Sequence, residues 1–517
     1  MRVREVWCLG IRFLESSFCW FPSPGVWAGR GDFLLGGGGR VRLAAFRVHA
    51  LRRRDAADIV CTTIRSGTPY GVETMWADVS TYVGCSWLVR NDVRGVRFGG
   101  CRFWGAVHFW WCGFLYICTI KGADKMDVSL ITFMEEQVAL TDLTFKRYIY
   151  KTLPWEARMI GLMGPRGVGK STLVLQHIKE MEQGRRRKSL YVSADHSYFA
   201  NHRLIDVADQ FVREGGEWLY IDEVHKYEGW SRELKQAYDS HLELHIMFTG
   251  SSILDIMEGE ADLSRRALMF HLQGMSFREY LELFHGIETR VRSLEDVLGG
   301  DVSIDGVLHP LPLFGQYLKE GYYPFAREGH LQMRLQQIVA LTMENDIPQY
   351  ANMSPSTGRK LRKMLSIIAE NVPYKPEATA LANEIKVSRN DIPTYLLFME
   401  KAGMIGQLRN ETGGMRGLGK VEKVYLDNTN LIYALSPADA NIGNVRETFF
   451  YNQVRLMHDV VVSRTSDFRI GKYTFEVGGA RKSRRQLSGV SDGFVVRDDI
   501  EYSSGGVVPL WGFGLMY

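Results

Sequence analysis

Four residues at fixed spacing mark the segment best suited to chemistry. Gly164, Gly169, Lys170 and Ser171 fit the pattern G-x-x-x-x-G-K-[ST] within the sequence MIGLMGPRGVGKSTLVL. Glycines let the backbone N–H groups of such a loop close around phosphate oxygens, and a helix that begins at the loop adds the positive end of its dipole. The spacing predicts that Lys170 reaches the β and γ phosphates of a nucleotide and that Ser171 offers its hydroxyl to Mg²⁺. The residues expected to hold the nucleotide are Gly164, Pro165, Arg166, Gly167, Val168, Gly169, Lys170, Ser171 and Thr172.

A second signal is an apolar run that ends in two adjacent carboxylates. Residues 218–223 have the sequence WLYIDE. We expect Asp222, at the end of a strand, to hold Mg²⁺ through its water shell, and Glu223 to orient and activate the attacking water. The competing interpretation is a strand followed by a solvated acidic turn. Together with the loop, this run predicts nucleotide hydrolysis with Glu223 and Lys170 as catalytic residues.

Hydroxyl and guanidinium groups follow further along the chain. Residues 245–248 predict a strand that ends in the sequence TGSS, where Thr249 or Ser251 is a candidate to contact the γ phosphate. A plain polar turn fits the same residues. Arg266, with Arg265 as second choice, is the candidate to stabilise transition-state charge, in cis or from a neighbouring subunit. The alternative is a solvated basic turn.

The elements that must position these residues alternate along the chain. Strand-like segments at residues 189–195, 218–222 and 245–248 are separated by helical ones such as residues 204–214. Strands that alternate with helices predict an α/β fold with a parallel sheet, because each parallel connection needs a crossover.

These motifs together resemble one known family. GPRGVGKST, WLYIDE, FTGSS, LSRR and GMSFREYL are similar to segments of the bacterial and archaeal AAA-type P-loop ATPases with a C-terminal restriction-nuclease-like domain of unknown function. The similarity continues through residues 424–450, FEVGG and PLWGFGLMY, so it covers residues 126–517. It implies ATP as the nucleotide and Mg²⁺ as the cofactor. It also implies an AAA-type P-loop core at 126–285, a helical connector at 286–355, a winged helix at 356–435 and a degenerate nuclease-like domain at 436–517.

The winged helix has independent support from the sequence. Residues 361–370 and 378–385 are helical by periodicity, residues 387–390 form a turn, and residues 391–402 predict a second helix. This is the spacing of a helix-turn-helix, which can place its second helix in the DNA major groove. The charged residues of that helix, Asp391, Glu400 and Lys401, nearly cancel. They favour a packing or subunit-contact role over DNA binding, which stays open.

The resemblance to nucleases can be followed residue by residue in the last segment. Nucleases of this fold combine a helical Glu, a strand Asp and an acidic-x-Lys triplet around Mg²⁺, and Glu447, Asp467 and Glu476 would take the first three places. The lysine place is occupied by Gly478, with Lys482 four residues later. The resemblance therefore favours an inactive or structural site, with substitution by Lys482 as the alternative.

Charge and cysteine divide the chain near Met126. Residues 1–125 hold 17 Lys+Arg against 9 Asp+Glu, whereas residues 126–517 hold 46 against 50. The net charge of +4 for the whole chain is therefore no argument for nucleic-acid binding by the larger part. All seven cysteines precede residue 119 and none has C-x-x-C spacing, which gives no support for a zinc or dithiol site and fits a reducing cytoplasm.

Residues 1–120 have an unusual composition. They contain fifteen Arg but no Lys or Gln, and eight of the twelve Trp. Exclusion of Lys indicates biased codons or a different reading frame, so we expect the natural start at Met126. A membrane span at residues 103–120 is one alternative, since these 18 residues lack charged side chains; an accessory domain is the other.

The sequence as a whole predicts a cytoplasmic, Mg²⁺-dependent ATP-binding protein that hydrolyses ATP and couples its nucleotide state to its C-terminal domains. A homo-oligomer is compatible with an arginine supplied in trans. Two alternatives stay open: an ATP-regulated DNA-binding or nuclease-like effector, and a non-hydrolysing, nucleotide-gated interaction protein.

Overall fold

The computed structural model describes most of the chain after residue 125 and part of the chain before it. Backbone and side chains are described for residues 126–251, 263, 265–411, 420–436, 440–482 and 485–517, and the backbone alone for residue 484 and for seven strands before residue 103. The chain divides into two units, Met1–Asp124 and Lys125–Tyr517, and each is described by itself.

The first unit contains a five-stranded antiparallel sheet. Each strand pairs with the next in chain order. The strands are β1 (Arg2–Cys8), β2 (Ile11–Trp20), β3 (Val26–Leu35), β4 (Arg40–Arg53) and β5 (Ala56–Ser66), and a separate pair consists of β6 (Arg97–Phe98) and β7 (Cys101–Arg102). Residues 103–120, the candidate membrane span, lie outside the described residues. Among the residues that are described, no helix combines the length and apolar character needed to cross a bilayer.

A five-stranded parallel sheet lies at the centre of the second unit. Its strands are β8 (Met159–Met163), β9 (Ser189–Ser193), β10 (Trp218–Asp222), β11 (His245–Gly250) and β12 (Leu268–His271). They lie in the order β12-β8-β11-β10-β9, and every neighbouring pair is parallel. This sheet confirms the predicted α/β fold. Because β11 lies between β8 and β10, the carboxyl ends of these three strands are side by side.

The central sheet has an apolar core on each face. Trp218 and Tyr220 of β10 belong to one core, and Leu219 and Ile221 belong to the other, because successive side chains of a strand point to opposite faces. The helices of this region are α1 (Val128–Leu140), α2 (Lys170–Glu180), α3 (Gln183–Arg186), α4 (Leu204–Arg213) and α5 (Trp230–Ser240).

Helices follow the central sheet. The first, α6 (Phe277–His285), lies within residues 126–285, the predicted P-loop core. The next four lie within residues 286–355, the predicted connector, and are α7 (Leu294–Gly299), α8 (Leu311–Glu320), α9 (Leu331–Leu341) and α10 (Ile347–Tyr350). A π-helix, Thr342–Asp346, joins α9 to α10. The described residues also form 3₁₀ turns at Tyr148–Lys151, Ser197–Ala200, Val224–Lys226, Pro324–Glu328, Arg389–Asp391, Arg484–Leu487 and Leu510–Leu515.

The C-terminal region begins with the helices that periodicity predicts. They are α11 (Pro355–Glu370), α12 (Ala378–Ile385) and α13 (Ile392–Lys401). An antiparallel hairpin follows, and it is continuous with one seven-stranded mixed sheet in the order β14-β13-β15-β16-β17-β18-β19. The remaining elements are β13 (Ile405–Arg409), β14 (Val421–Leu426), α14 (Thr429–Leu435), α15 (Ile442–Val454), β15 (Val460–Val462), β16 (Phe468–Ile470), β17 (Tyr473–Gly478), β18 (Gly493–Arg497) and β19 (Val507–Pro509).

Buried aromatic rings join the connector to the C-terminal region. Phe314 of α8 contacts Phe277 of α6 at a centroid distance of 5.5 Å and Phe449 of α15 at 4.8 Å. All three side chains are buried. Burying one phenylalanine side chain contributes roughly 1.5–3 kcal/mol. A displacement that separated these helices would therefore expose costly apolar surface.

Candidate nucleotide site

The glycine-rich loop connects the buried strand β8 to α2, the context that its motif requires. Gly167 and Gly169 have φ angles of 80° and 95°. These values lie in the left-handed region that side chains other than glycine adopt at a cost. The α2 helix begins at Lys170, with Gly169 as its N-cap. The backbone N–H groups at this helix start are therefore available for phosphate.

Lys170 is buried within the loop that it follows. Its Nζ donates hydrogen bonds to the carbonyl oxygens of Gly164, at 2.9 Å, and Pro165, at 3.0 Å. Burial lowers the pKa of Lys170, while the charges of Glu223 and Asp222 act in the opposite direction. The amine is therefore placed at the loop and within the electrostatic influence of both predicted carboxylates.

Asp222 occupies the end of β10 and is held by two hydroxyl groups. Tyr191 Oη donates to Asp222 Oδ2 at 2.8 Å, and Thr249 Oγ1 donates to Asp222 Oδ1. Thr249 Oγ1 also accepts a hydrogen bond from the backbone N–H of Glu223 at 3.1 Å. Thr249, expected to contact the γ phosphate, thus also positions both carboxylate residues. The sequence analysis missed Tyr191, for which no local pattern gave a signal.

Glu223 has a left-handed backbone conformation, with a φ angle of 53°. Its Oε2 lies 3.0 Å from Nε2 of the buried His225. Burial alone would raise the pKa of Glu223, but the contact with His225 and the charges of Lys170 and Arg166 outweigh burial and lower this pKa to about 2. Glu223 is therefore ionised at neutral pH, as a group that accepts a proton from water must be.

The predicted metal ligands are compatible with a nucleotide-borne Mg²⁺. Ser171 lies in the first turn of α2, half-buried, beside Lys170. A hydroxyl and a carboxylate oxygen are the hard ligands that Mg²⁺ prefers, and phosphates and water supply the others. In the part of the chain that the structure describes, no group of three or more His, Cys, Asp or Glu side chains could hold a metal by itself. The hydroxyl of Ser171 and the carboxylate of Asp222 thus fit a cation that arrives with the nucleotide.

Of the two candidate arginines, one is held in an ion pair near the end of α5 and the other is exposed. Arg266 forms a bidentate ion pair with Asp239 near the end of α5, with N···O distances of 2.8 and 2.9 Å. Arg265 is exposed. The arginine whose charge acts on Glu223 is Arg166, within the loop itself. A transition-state role for Arg266 therefore stays a prediction that requires rearrangement or a second subunit.

A buried ion pair between Arg147 and Glu279 supports the glycine-rich loop. Arg147 donates to the carboxylate of Glu279 and to the carbonyl oxygens of Val168, Gln273 and Gly274. Glu279 is fully buried and completes a capping box at the start of α6. The S-x-x-E spacing of this box is a visible N-cap signal. Its partner Arg147, 132 residues away, was missed because no local pattern links the two.

The connector and the C-terminal region both contact the glycine-rich loop. Asp346 pairs with Arg166, and a Cβ added to Gly167 would lie 2.4 Å from the Phe325 ring. A Cβ added to Gly403 would lie 2.4 Å from the Pro165 ring. The glycine-rich loop is therefore in contact both with the connector, which ends at residue 355, and with the C-terminal region that follows it.

The carboxylates predicted from nucleases come together in the C-terminal sheet, but lysines neutralise them. Lys423 Nζ lies 3.3 Å from Glu447 and 3.5 Å from Asp467, and Lys482 pairs with Glu476. Burial raises the pKa of Glu447. The Lys482 side chain also covers Gly478, since a Cβ there would lie 1.9 Å from Lys482 Cγ. The Lys482 side chain thus lies over Gly478 and beside Glu476. An inactive or structural site stays a prediction, with substitution by Lys482 as the alternative.

Comparison with known families supports the loop assignment. Residues 156–281 match the family model described as "AAA domain". An AAA-type, nucleotide-binding P-loop is therefore supported for this part of the chain. Residues 311–442 match a second model, described only as a domain of unknown function.

Among curated proteins, the uncharacterized protein MJ1637 of Methanocaldococcus jannaschii is similar over 267 residues at 26% identity. The alignment covers 48% of this chain and 56% of that relative, so it spans little more than half of the relative's length.

Solved structures with detectable similarity include the Aeropyrum pernix ORC1 protein in complex with DNA, at 12% identity over 62% of this chain and 95% of that one, with a TM-score of 0.26. C. elegans PCH-2 aligns at 17% identity over 56% and 71%, with a TM-score of 0.21. A katanin self-assembly structure aligns at 12% identity over 38% and 70%, with a TM-score of 0.19. The assignment of the fold rests on the sheet order given above rather than on these alignments.

Proposed function

We propose that this chain is a Mg²⁺-dependent ATPase whose nucleotide state is coupled to its connector and C-terminal sheet. One observation carries the proposal. The buried Lys170 directly follows the glycines of the loop at the carboxyl edge of the parallel sheet, and the negative charges of Asp222 and Glu223 act on its amine. The AAA domain match supports ATP as the nucleotide. The contacts of Asp346 and Gly403 with the loop provide the route of coupling.

Each residue then has a defined task. The N–H groups around Gly167 and Gly169 bind phosphate oxygens, and Lys170 exchanges its loop carbonyl partners for the β and γ phosphates. Ser171 and Asp222 would hold Mg²⁺, which neutralises phosphate charge when bound with the nucleotide. Glu223, ionised and adjacent to Asp222, orients the attacking water and accepts its proton.

The direct test is phosphate release by the full chain with Mg²⁺ and ATP, comparing wild type with Glu223→Gln. General-base catalysis typically contributes about 10²–10⁴-fold. We therefore expect the variant to lose at least about 100-fold in rate while it still binds ATP. Glu228→Gln, which changes an exposed glutamate five residues later, is the matched control and should retain the wild-type rate. Equal background rates for wild type and Glu223→Gln would contradict the ATPase proposal.

A further inference from the structure

One carboxylate of the connector, Asp346, contacts both the glycine-rich loop and the turn that follows Glu223. Asp346, at the end of the π-helix, is buried and pairs with Arg166 of the loop at 2.7 and 3.0 Å. Lys226, three residues after Glu223, lies 3.8 Å from the same carboxylate. Bidentate arginine–carboxylate pairs are among the strongest and most directional contacts in proteins. Asp346 therefore restrains both the loop and the turn that follows Glu223.

The same short segment also controls the residue that contacts Glu223. The Tyr350 ring packs edge-on against His225 at a centroid distance of 5.7 Å, and its hydroxyl donates to the His225 carbonyl at 3.4 Å. His225 in turn lies 3.0 Å from the Glu223 carboxylate. Residues 346–350, the connector clamp, thus act on Arg166 directly and on Glu223 through His225.

The clamped arrangement restrains the carboxylate that is expected to orient the water. His225 lies 3.0 Å from one Glu223 oxygen, so a water must compete with His225 for that oxygen or bind the other one. Glu223 is also held in a left-handed conformation that disfavours non-glycine residues.

The clamp is placed to receive a signal from the C-terminal region. The α11 helix packs closely against the π-helix, because a Cβ added to Gly358 would lie 2.7 Å from Glu344 Cα. Arg362 of α11 also pairs with Glu344 at 2.7 Å. A displacement of α11 would therefore move the π-helix and, with it, Asp346.

We propose that the connector clamp, residues 346–350, is an autoinhibitory element that holds Glu223 and Arg166 in a resting arrangement until a change at α11 releases them. The proposal rests on the ATPase function proposed above. It assigns the regulation of that site to contacts formed by Asp346 and Tyr350.

The test measures steady-state phosphate release and ATP affinity for the full chain and its variants. Asp346→Asn keeps the side-chain shape but removes the charge, and Tyr350→Ala removes the ring that packs on His225. Because coupling between sites is typically about 5-fold or more, each variant should raise kcat by about 5-fold or more. The Kd for ATP should change by less than about twofold. Tyr350→Phe keeps the ring and should stay near the wild-type rate.

Asp498→Asn is the matched control for Asp346→Asn. It also removes a part-buried carboxylate from an arginine pair, with Arg446, in the C-terminal sheet. It should leave the rate unchanged, so an increase in this variant equal to that in Asp346→Asn would overturn the proposal. An unchanged or lower kcat in both Asp346→Asn and Tyr350→Ala, with ATP still bound, would overturn it as well.

Failure of the underlying ATPase assignment is separable. If wild type and both clamp variants release phosphate no faster than Glu223→Gln, the hydrolysis proposal fails and the clamp fails with it. If wild type exceeds Glu223→Gln but the clamp variants show no increase, only the clamp is wrong. Loss of ATP binding in both clamp variants would mean that the segment builds the site instead of restraining it, which also contradicts autoinhibition.

Discussion

At the scale of single residues, the candidate site contains groups that hold the proposed catalytic side chains in place. Thr249 is the clearest case, since its hydroxyl joins the Asp222 carboxylate to the Glu223 backbone. Tyr191 supplies the second hydroxyl on Asp222. Buried carboxylates need such partners because an unsatisfied one is costly. Thr249 and Tyr191 therefore offset the cost of burying the Asp222 carboxylate at the strand end.

His177 gives a test of stability against pH at the residue scale. It lies on α2, stacked on Trp155 at a centroid distance of 3.9 Å, and burial lowers its pKa to about 4. Its pKa in the unfolded chain is near 6.5, so the unfolded state binds the proton more readily. The stability that the folded state gains by keeping His177 neutral is fully present above pH 6.5 and is lost as pH falls toward 4.

We expect wild type to lose about 2 kcal/mol more of its free energy of unfolding than His177→Phe between pH 7 and pH 5. Urea unfolding followed by tryptophan fluorescence at the two pH values measures this difference. His309→Phe, which replaces an exposed histidine, should keep the wild-type loss. An identical pH dependence in wild type and His177→Phe would show that burial does not shift this group.

At the scale of elements, the loop is fixed by long-range pairs. Arg147 and Glu279 connect the segment before β8, the loop and α6. Removing one partner of a buried pair typically costs about 3–5 kcal/mol, because the other charge stays buried without compensation. We therefore expect Arg147→Met to lower the free energy of unfolding by about that amount, measured by urea denaturation.

The matched control for Arg147→Met is Arg186→Met, which removes the exposed pair with Glu135. Exposed pairs contribute about 0–1 kcal/mol, so this variant should be nearly as stable as wild type. Equal stabilities of Arg147→Met and wild type would refute the supporting role of the buried pair.

The difference between local patterns and long-range contacts explains which parts of the site the sequence could predict. The loop from Gly164 to Ser171 and the run ending at Glu223 are local patterns, so both were located without a structure. The Arg166–Asp346 pair spans 180 residues and leaves no local trace. His225 and Tyr350 were missed for the same reason, since 125 residues separate them in the chain. Local motifs therefore predict the reactive groups, whereas the groups that restrain them emerge only from the packing.

At the scale of the whole molecule, nucleotide site and C-terminal sheet are linked through the connector. Periodicity locates α11, α12 and α13, because apolar positions at helical spacing are visible in the sequence, although α11 begins at Pro355, six residues before the predicted start. The joining of β13 and β14 to one seven-stranded sheet was not visible, since sheet neighbours distant in sequence carry no local signal. This continuity gives a change at the loop a path of buried contacts to the last strands.

The central claim is that the loop around Lys170 binds a nucleoside triphosphate. Equilibrium titration of the full chain with a fluorescent ATP analogue and Mg²⁺ tests it most directly. Losing a charged hydrogen-bonding group costs about 1.5–3 kcal/mol, so Lys170→Ala should raise Kd by about 10- to 100-fold or beyond detection. Lys179→Ala, on the same helix but bonded to the Ala139 and Thr141 carbonyls, should bind as wild type does. A wild-type Kd for Lys170→Ala would contradict the account.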